Sequence, residues 1–314
     1  MSNYNYMKID DNSYKDIKEL YLRSFNLDAS IESIKIKYDT SSFGLKNIGY
    51  LAIDTEGDLA AYYGAFPMRM VVDKKDYIVA QSGDTMTAPE HRKKGLFTEL
   101  AKLTYQLAEQ CGIQFVFGFP NANSYPGFIK NLDWKFFGCL KSFIFYNKVL
   151  PLCELSVKFK FLLPVYKWYC KIKLAKLKLE LSPENIKAFE DDSSRGYIKK
   201  NIDFFKYKLM NDNIYLIKIN DFSLLIKPNP HLYIGAVGNF DIKRTDDFIA
   251  TLKLLAKKLG CKKTIMNLSE NHWLFNYLQK KVEHTDSLPI GYYIINKDLP
   301  YEEISYVGAD SDTF

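Results

Sequence analysis

The segment Ala88–Lys94 joins an apolar strand-like run to an amphipathic helical pattern, and it carries the residue types best suited to chemistry. Three consecutive cations, Arg92, Lys93 and Lys94, precede Gly95. Backbone N–H groups at the start of a helix point outward without partners, and a glycine lets an anion approach the backbone closely. Cationic side chains add charge around such a start. A basic loop alone is typical of a solvated surface, but its place between a strand and a helix predicts an anion site, with phosphate as the natural ligand.

The elements that must position this loop follow from the hydrophobic pattern. Helical spacing predicts helices over 14–24, 30–38, 96–109 and 125–132. After a brief first strand, strand-like runs lie at 49–53, 59–72, 77–87, 114–119, 134–137 and 142–147. The polar turn at 55–58 is a hairpin signal. This order predicts an α+β fold, with a mixed, mostly antiparallel sheet flanked by helices.

The second half of the chain contains a weak internal repeat of the first. At a fixed offset of 148 residues, Leu107, Gly112 and Asn123 coincide with Leu255, Gly260 and Asn271. The strand runs 114–119 and 142–147 coincide with 262–267 and 290–295, and a hairpin signal at 215–226 precedes them. Because the element order repeats together with the residues, we favour duplication over chance similarity. The offset places Lys243 opposite Gly95, so the second copy lacks the glycine of the loop.

The run Arg92–Phe97 resembles the acyl-CoA loop of the GNAT superfamily of N-acyltransferases, whose pattern is Arg/Gln-x-x-Gly-x-Gly/Ala. Phe97 departs from it, since the family has a small residue there. Pro89–Arg92 is similar to the family's Pro-acidic-aromatic-Arg lead-in. The resemblance implies a GNAT-like acyl-CoA-binding lobe over 1–149 and a lysine-rich helical connector over 150–181. Residues 182–314 would form a second, degenerate GNAT-like lobe that contributes to the acceptor site.

The same resemblance implies a site for CoA. Backbone amides of Lys93–Thr98 would hold the pyrophosphate, and the backbone of Met86 and Thr87 would pair with the pantetheine arm as with an added strand. Three polar residues after the strand 114–119 would contact the thioester or pantetheine, with helix capping as their alternative role. The implied cofactor-binding set is Met86, Thr87, Arg92, Lys93, Lys94, Gly95, Leu96, Phe97, Thr98, Asn121, Asn123 and Ser124.

Acylation of an amine needs an unprotonated nucleophile, a polarised thioester carbonyl and a proton for the departing thiolate. Many members of the family donate this proton from a tyrosine where this chain has Phe128 or Ile129. Tyr125, slightly earlier, is the nearest candidate acid, and a wall aromatic is its alternative role. Asp84, on the strand that leads to the loop, is the candidate base, with an outward-facing strand carboxylate as the alternative. His91 lies in the loop and is expected to face solvent.

The last seven residues, Gly308–Phe314, form an acidic run that closes on an aromatic residue. In some two-lobed aminoglycoside acetyltransferases of the superfamily, the terminal carboxylate reaches the acceptor amine. By that resemblance Asp310, Asp312 or the carboxylate of Phe314 would attract and deprotonate an amine. A disordered acidic tail is the alternative.

Charge and composition narrow the partners. Of a net charge of +6, the segment 155–179 supplies seven lysines and no acid, which argues against a nucleic-acid-binding face spread over a domain. Apolar residues at helical spacing in this segment predict an amphipathic linker helix that Pro164 kinks or breaks. A weak contact with an anionic membrane surface, or with the diphosphate of a nucleotide sugar, is the other interpretation. The predicted buried stripe is Leu155, Phe159, Leu162, Tyr166, Tyr169 and Ile172.

Three further absences in the sequence point to a cytoplasmic protein without a metal. The five cysteines form no CxxC pair, the N-terminus has no signal pattern, and no apolar run approaches the ~20 residues of a membrane span.

The sequence and the resemblance together predict an acyl-CoA-dependent N-acyltransferase acting on a primary amine by direct attack on the thioester. The preferred acceptor is an amino sugar, free or nucleotide-linked. An aminoglycoside or other small-amine acetyltransferase, and a tRNA-dependent aminoacyl transferase, are alternative enzymes. A non-catalytic, membrane-associated binding protein on a worn GNAT fold is the alternative of another class.

Overall fold

The computed structural model describes residues 4–190 and 194–314, and the chain divides into two compact units. The first comprises Met1–Phe137 with Pro289–Tyr301, and the second comprises Gly138–Leu288 with Glu302–Phe314. The lobe boundaries at 149 and 181 stay a prediction.

Helices and strands are mixed along both halves of the chain. Up to residue 146 they are β1 Tyr4–Lys8, α1 Tyr14–Phe25, α2 Ile31–Tyr38, β2 Ile48–Asp54, β3 Leu59–Val72, β4 Lys75–Thr87, α3 Leu96–Gln110, β5 Phe115–Gly118, α4 Tyr125–Asn131 and β6 Lys135–Tyr146. After it come α5 Leu152–Lys158, α6 Leu163–Ala175, α7 Pro183–Lys187, β7 Gly196–Ile198, α8 Ile202–Leu209, β8 Tyr215–Ile219, β9 Phe222–Pro228, β10 Leu232–Gly238, α9 Thr245–Leu259, β11 Lys263–Ser269, α10 Phe275–Leu278, β12 His284–Ile294 and β13 Ile304–Ser305.

The first unit is built on a mostly antiparallel sheet with helices on both faces. Strands β1, β2, β3 and β4 pair antiparallel in that order, and β4 pairs parallel with β5. Successive strand residues face opposite sides of the sheet. Tyr63 accordingly packs with α3 on one face, whereas Tyr62 packs with α1 and α2 on the other. The predicted α+β class, with a mostly antiparallel sheet flanked by helices, is confirmed.

The second unit repeats the same pairing order. Strands β8, β9 and β10 are antiparallel, β10 is parallel to β11, and α9 stands in the chain where α3 stands in the first unit. Gly112 and Gly260, which the repeat aligns, both adopt positive φ after these helices, at 78° and 66°. This is the left-handed conformation with which helices commonly end, and glycine adopts it without penalty.

The two halves of the chain exchange their last strands. The sequence predicts two strands, 134–137 and 142–147, that close the first half, but β6 is one continuous strand and its residues Leu140–Tyr146 pair with β11 in the second unit. The first unit receives β12 instead, with Gly291–Ile294 antiparallel to β5. The prediction for 142–147 is therefore wrong in its partner. The two exchanged segments are equivalent in the repeat and carry similar alternation, so their pattern does not specify which sheet each one joins.

The connector forms helices α5 and α6, with Pro164 in the first turn of α6, where a proline costs no helical hydrogen bond. The predicted break is confirmed, but the predicted stripe is only partly buried, because Phe159 is exposed. Helix α6 buries Tyr166, Cys170 and Leu174, while Ile172 is exposed. Over residues 4–190 and 194–314, no helix has the length and apolar character needed to cross a bilayer.

Candidate active site

A β-bulge in β4 sets the geometry of the candidate site. Tyr62 pairs with Met86 and Gly64 with Gly83, so Asp84 and Thr85 lie together opposite the one residue between them on β3. Asp84 adopts a φ of 53°, as the first residue of such a bulge does. A bulge bends its strand and increases the local twist. It therefore re-aims the end of β4 that carries Met86 and Thr87.

Strand β4 also outruns its parallel partner. In the described residues its ladder pairs with β5 are Ala80 with Val116 and Gln81 with Phe117, and β5 ends at Gly118. On the other side, Met86 and Thr87 remain paired to β3. The edge of β4 beyond Gln81 that faces β5 thus lies open to an extended polar chain.

The loop after β4 presents backbone amides outward. Gly95 is the N-cap of α3 with a φ of 82°, and no side chain caps that helix. Among the described residues, the amides of Lys93–Phe97 have no hydrogen-bond acceptor, whereas the amide of Thr98 donates to the Gly95 carbonyl at 3.0 Å. A Cβ added at Gly95 would meet no heavy atom within 4 Å, so the space over the helix start is empty. The free amides and the helix dipole favour an anion there.

The three cations of the loop are exposed around these amides. Arg92 is held back over the strand end, where its Nε donates to the Thr87 carbonyl at 3.3 Å. Lys93 adopts a φ of 62° and turns the chain into the helix. The cations and the open helix start therefore form one electropositive surface beside the end of β4.

Phe97, the departure from the family pattern, does not fill the loop. Its ring packs edge-to-face on Tyr63 and Phe128, with centroids 5.7 and 5.3 Å apart. Gly127 makes room for it, because a Cβ at that position would lie 3.0 Å from the Phe97 ring. The bulky residue is thus accommodated in the core below the helix.

His91 is buried and does not face solvent, so that expectation is wrong. Its Nδ1 lies 3.0 Å from the Tyr4 hydroxyl, and its Nε2 lies 3.9 Å from Asp54. Tyr4 belongs to the edge strand β1 and Asp54 to its neighbour β2, so the histidine anchors the loop to the sheet.

Asp84 lies in a polar cluster that the sequence did not indicate. Its carboxylate, 9% exposed, accepts from Lys37 Nζ at 2.7 Å and from the Tyr38 hydroxyl at 3.1 Å. Burial, followed by the charge of Asp84, raises the pKa of both Tyr38 and Tyr21. These hydroxyls therefore stay protonated and act as donors. Only the side-chain direction of α2 relative to β4 could have revealed this cluster.

The polar residues after β5 make capping contacts. Asn121 Oδ1 accepts from the amides of Asn123 and Ser124 at 2.9 and 3.1 Å, which shapes the turn into α4. Tyr125 starts that helix, half-buried, with its ring 4.6 Å from that of Phe136. Among the described residues, the side chain of Asn123 is exposed and makes no hydrogen bond.

A chain of buried hydroxyls crosses the core between β4 and α3. The Tyr63 hydroxyl lies 2.7 Å from Ser82 Oγ and 2.6 Å from the Tyr105 hydroxyl, to which Trp134 Nε1 donates at 2.9 Å. Burial raises the pKa of Tyr63 and Tyr105, so both remain protonated. The sequence did not single out these residues.

The helix start in the second unit differs from that of the first. Helices α3 and α9 begin 149 residues apart, so Arg244 rather than Lys243 takes the position of Gly95. Asp246 and Asp247 fill the first turn of α9, and Arg244 contacts Asp247 at 3.3 Å. Carboxylates already occupy this positive end, which leaves it unsuited to phosphate.

The acidic tail packs against the second unit. Asp310 is fully buried, and its carboxylate accepts from Lys200 Nζ at 2.9 Å and from the Val307 amide at 2.8 Å. The Phe314 ring lies over Gly235, where a Cβ would come within 2.2 Å of it. The alternative of a disordered tail is therefore wrong, and Asp310 is committed to an internal ion pair.

A cavity of about 450 Å³ opens beside this buried pair in the second unit. It lies beyond the last paired residues of β10 and β11, Ile234 and Met266, between Ala236–Phe240 and the turn at His272. Aromatic and polar side chains alternate on its walls, among them Asn239, Phe240, His272, Trp273 and Tyr277. In the described residues no group of three acidic, cysteine or histidine side chains could hold a metal ion.

A known protein family resembles the first part of the chain. Residues 5–137 match the family model of the acetyltransferase (GNAT) domain. Comparison with the curated proteins gives no match.

Solved structures resemble the whole chain in fold. A GCN5-related N-acetyltransferase from Kribbella flavida is 13% identical, with 93% of this chain and 71% of that chain covered and a TM-score of 0.60. One from Anabaena variabilis is 13% identical, with 93% of this chain and 72% of that chain covered and a TM-score of 0.57. N-myristoyltransferase of Saccharomyces cerevisiae with bound myristoyl-CoA is 14% identical, with 94% of this chain and 83% of that chain covered and a TM-score of 0.55.

At these identities the structural likeness establishes the fold, while the match to the domain model covers the unit that carries β4, the basic loop and α3. Residues 5–137 therefore form an acetyltransferase (GNAT) domain.

Proposed function

We propose that the protein is an acyl-CoA-dependent N-acyltransferase that moves an acyl group to a primary amine. The observation that carries this proposal is the open start of α3, where the free amides of Lys93–Phe97 and three exposed cations lie beside the open edge of β4. A pyrophosphate with an extended polar arm fits both features at once.

CoA would bind along the end of β4. The amides of the loop hold the pyrophosphate, and Arg92, Lys93 and Lys94 screen its charge. Gly95 leaves room for it at the helix start, where Leu96 and Phe97 contribute their backbone amides. The pantetheine amides pair with the backbone of Met86 and Thr87. Thr98 contributes through its side chain, because its amide is bonded to Gly95. Asn123 and Ser124 offer further polar contacts, while Asn121 positions the turn that carries them.

The reaction is a direct displacement. The amine nitrogen attacks the thioester carbonyl carbon, a C–N bond forms as the C–S bond breaks, and the amine proton leaves as the thiolate is protonated. Asp84 would accept the amine proton, with Lys37 and Tyr38 holding its carboxylate in place. Tyr125 is the proposed donor to the thiolate. The terminal carboxylate of Phe314 is the proposed attractor of the amine.

The proposed acceptor is an amino sugar, free or nucleotide-linked. It is supported by the cavity of the second unit, whose aromatic walls suit the apolar face of a sugar ring and whose polar groups suit its hydroxyls. Lys200 and Asp310 satisfy each other, so they add no net charge to this cavity. Glu190 also lines the cavity, and its negative charge suits the ammonium group of an amino sugar.

Thiol release from acetyl-CoA and longer acyl-CoAs tests the proposal against a panel of amines. The panel includes amino sugars, nucleotide-linked amino sugars, aminoglycosides and a peptide with a free amino terminus. Thiol release that depends on an amino sugar supports both the acyltransferase activity and the proposed acceptor. Thiol release with aminoglycosides alone supports the activity but overturns the proposed acceptor. CoA binding without release on any amine overturns the activity and favours a binding protein.

One substitution tests the acceptor cavity separately. Trp273→Ala is expected to raise the KM for the acceptor at least about 10-fold while CoA affinity is unchanged. The matched control is Leu254→Ala, an exposed apolar residue on α9 outside the cavity. An equal effect of both variants would remove the cavity from the account.

A further inference from the structure

The connector leaves a row of large apolar side chains in water. Phe161, Val165, Trp168 and Ile172 are 76%, 60%, 63% and 52% exposed. Their spacing of four, three and four residues places them on one face of α6 and the turn before it. The opposite face, which contains Tyr166, is the one that packs into the unit. Single exposed apolar residues are common, but a contiguous row of this size is typical of an interaction surface.

The segment 155–179, which carries this row, contains seven lysines and no acidic residue. Lys158 and Lys160 precede it, and along the helix Lys171 lies on one side of the row and Lys176 on the other. Lys167 faces away and is bonded to Asp212 at 3.0 Å. Among the described residues, Lys160, Lys171 and Lys176 form no ion pair and are exposed. The charge is therefore available to an external anion.

We propose that residues 158–176 are a docking surface for the headgroup region of an anionic lipid bilayer. An apolar row that includes tryptophan enters the boundary between headgroups and acyl chains, and the flanking lysines remain among the anionic headgroups. A protein partner would offer acidic side chains at fixed positions. The long, flexible lysine side chains beside Trp168 and Phe161 are better matched to the headgroup layer of a bilayer, which deforms and carries dispersed negative charge. The connector carries this function independently of acyl transfer.

Co-sedimentation of the full chain with vesicles tests the proposal. We expect binding to vesicles of phosphatidylcholine with about one-third phosphatidylglycerol, at least about 10-fold weaker binding to phosphatidylcholine alone, and loss of binding as salt rises from about 0.1 to 0.5 M. The emission of Trp168 should shift to the blue on binding, since the other two tryptophans, Trp134 and Trp273, are already partly or fully shielded.

Two variants separate the apolar and the charged contributions. Phe161→Ser with Trp168→Ser should weaken binding at least about 10-fold, and Lys171→Glu with Lys176→Glu should do the same. Leu254→Ser, at an exposed apolar residue of α9, is the control and should bind as the unchanged protein does. Thermal melts establish that each variant is folded.

Several outcomes would overturn the proposal. They are the absence of vesicle binding by the unchanged protein, equal binding to neutral vesicles, and unaltered binding by both double variants. A dimer that Trp168→Ser dissociates would instead assign the row to a second copy of the chain. Capture of an acidic protein, with no vesicle binding, would assign it to a protein partner.

Discussion

Replacing Gly95 with glutamate tests the proposed phosphate site at the residue whose backbone conformation and open surroundings the site depends on. Gly95 has a φ of 82° and open space over its Cα. Any residue with a Cβ costs roughly 1–2 kcal/mol in this left-handed conformation. The glutamate carboxylate adds repulsion of a bound pyrophosphate, roughly 4 kcal/mol at about 4 Å with an effective dielectric constant near 20. Exposure to salt reduces this to roughly 2 kcal/mol, so CoA affinity should fall at least about 30-fold.

Three controls separate the local charge from backbone strain and from charge elsewhere. Gly95→Ala introduces the strain without the charge and should weaken CoA binding far less. Gly57→Glu introduces the same change in the hairpin between β2 and β3, at a φ of 94° and with no heavy atom within 4 Å of an added Cβ. Lys243→Glu places the charge in the second unit, beside the helix start that its own carboxylates already occupy. Neither of these last two should alter CoA affinity.

Isothermal titration with CoA measures all four variants, and thermal melts at matched concentration report their stability. Equal CoA affinity of Gly95→Glu and Gly57→Glu would refute the placement of the pyrophosphate at α3. A loss as large in Gly95→Ala as in Gly95→Glu would show that the backbone conformation, and not the charge, decides binding.

Four further predictions concern the reaction and the fold. Asp84→Asn should lower kcat roughly 100-fold with CoA affinity unchanged, and an unaltered kcat would leave Asp84 a structural partner of Lys37. Tyr125→Phe should lower kcat roughly 10-fold with acetyl-CoA, and less with a thioester of a more acidic thiol; equal effects on both would argue against an acid. A glycine added after Phe314 keeps the ring on Gly235 but moves the carboxylate, and it should raise the acceptor KM; unchanged kinetics would remove the terminal carboxylate from the site. Tyr105→Phe should destabilise the fold by about 1–3 kcal/mol in urea unfolding, because Trp134 Nε1 loses its acceptor, and full stability would show that another group replaces it.

Local patterns predicted most elements because burial follows the period of each one. The continuous apolar run over 59–72 corresponds to β3, which is buried on both faces of the sheet. The helical spacing after Gly95 corresponds to α3, which lies between water and one core. The basic loop was also readable, since a strand, a cationic turn and a helix follow one another without interruption. What these patterns describe is the environment of a segment and not its partner.

The features that sequence missed depend on contacts between distant segments. The exchange of β6 and β12 joins residues whose patterns are interchangeable. The contact of Lys37 with Asp84 depends on how α2 packs over β4, and the burial of His91 on a hydroxyl at the first strand. In the connector, the predicted stripe included both Tyr166 and Ile172, but tertiary packing buries the face with Tyr166, Cys170 and Leu174 and leaves Ile172 exposed.

The central claim is that the first unit delivers an acyl group from CoA to an amine, and mass measurement of the product tests it most directly. With acetyl-CoA carrying a deuterated acetyl group, we predict that an amino-sugar acceptor gains one labelled acetyl for each thiol released. Gly95→Glu should lose both signals together at CoA concentrations that saturate the unchanged protein. Thiol release without a labelled amine, or a labelled amine formed equally by Gly95→Glu, would contradict the account.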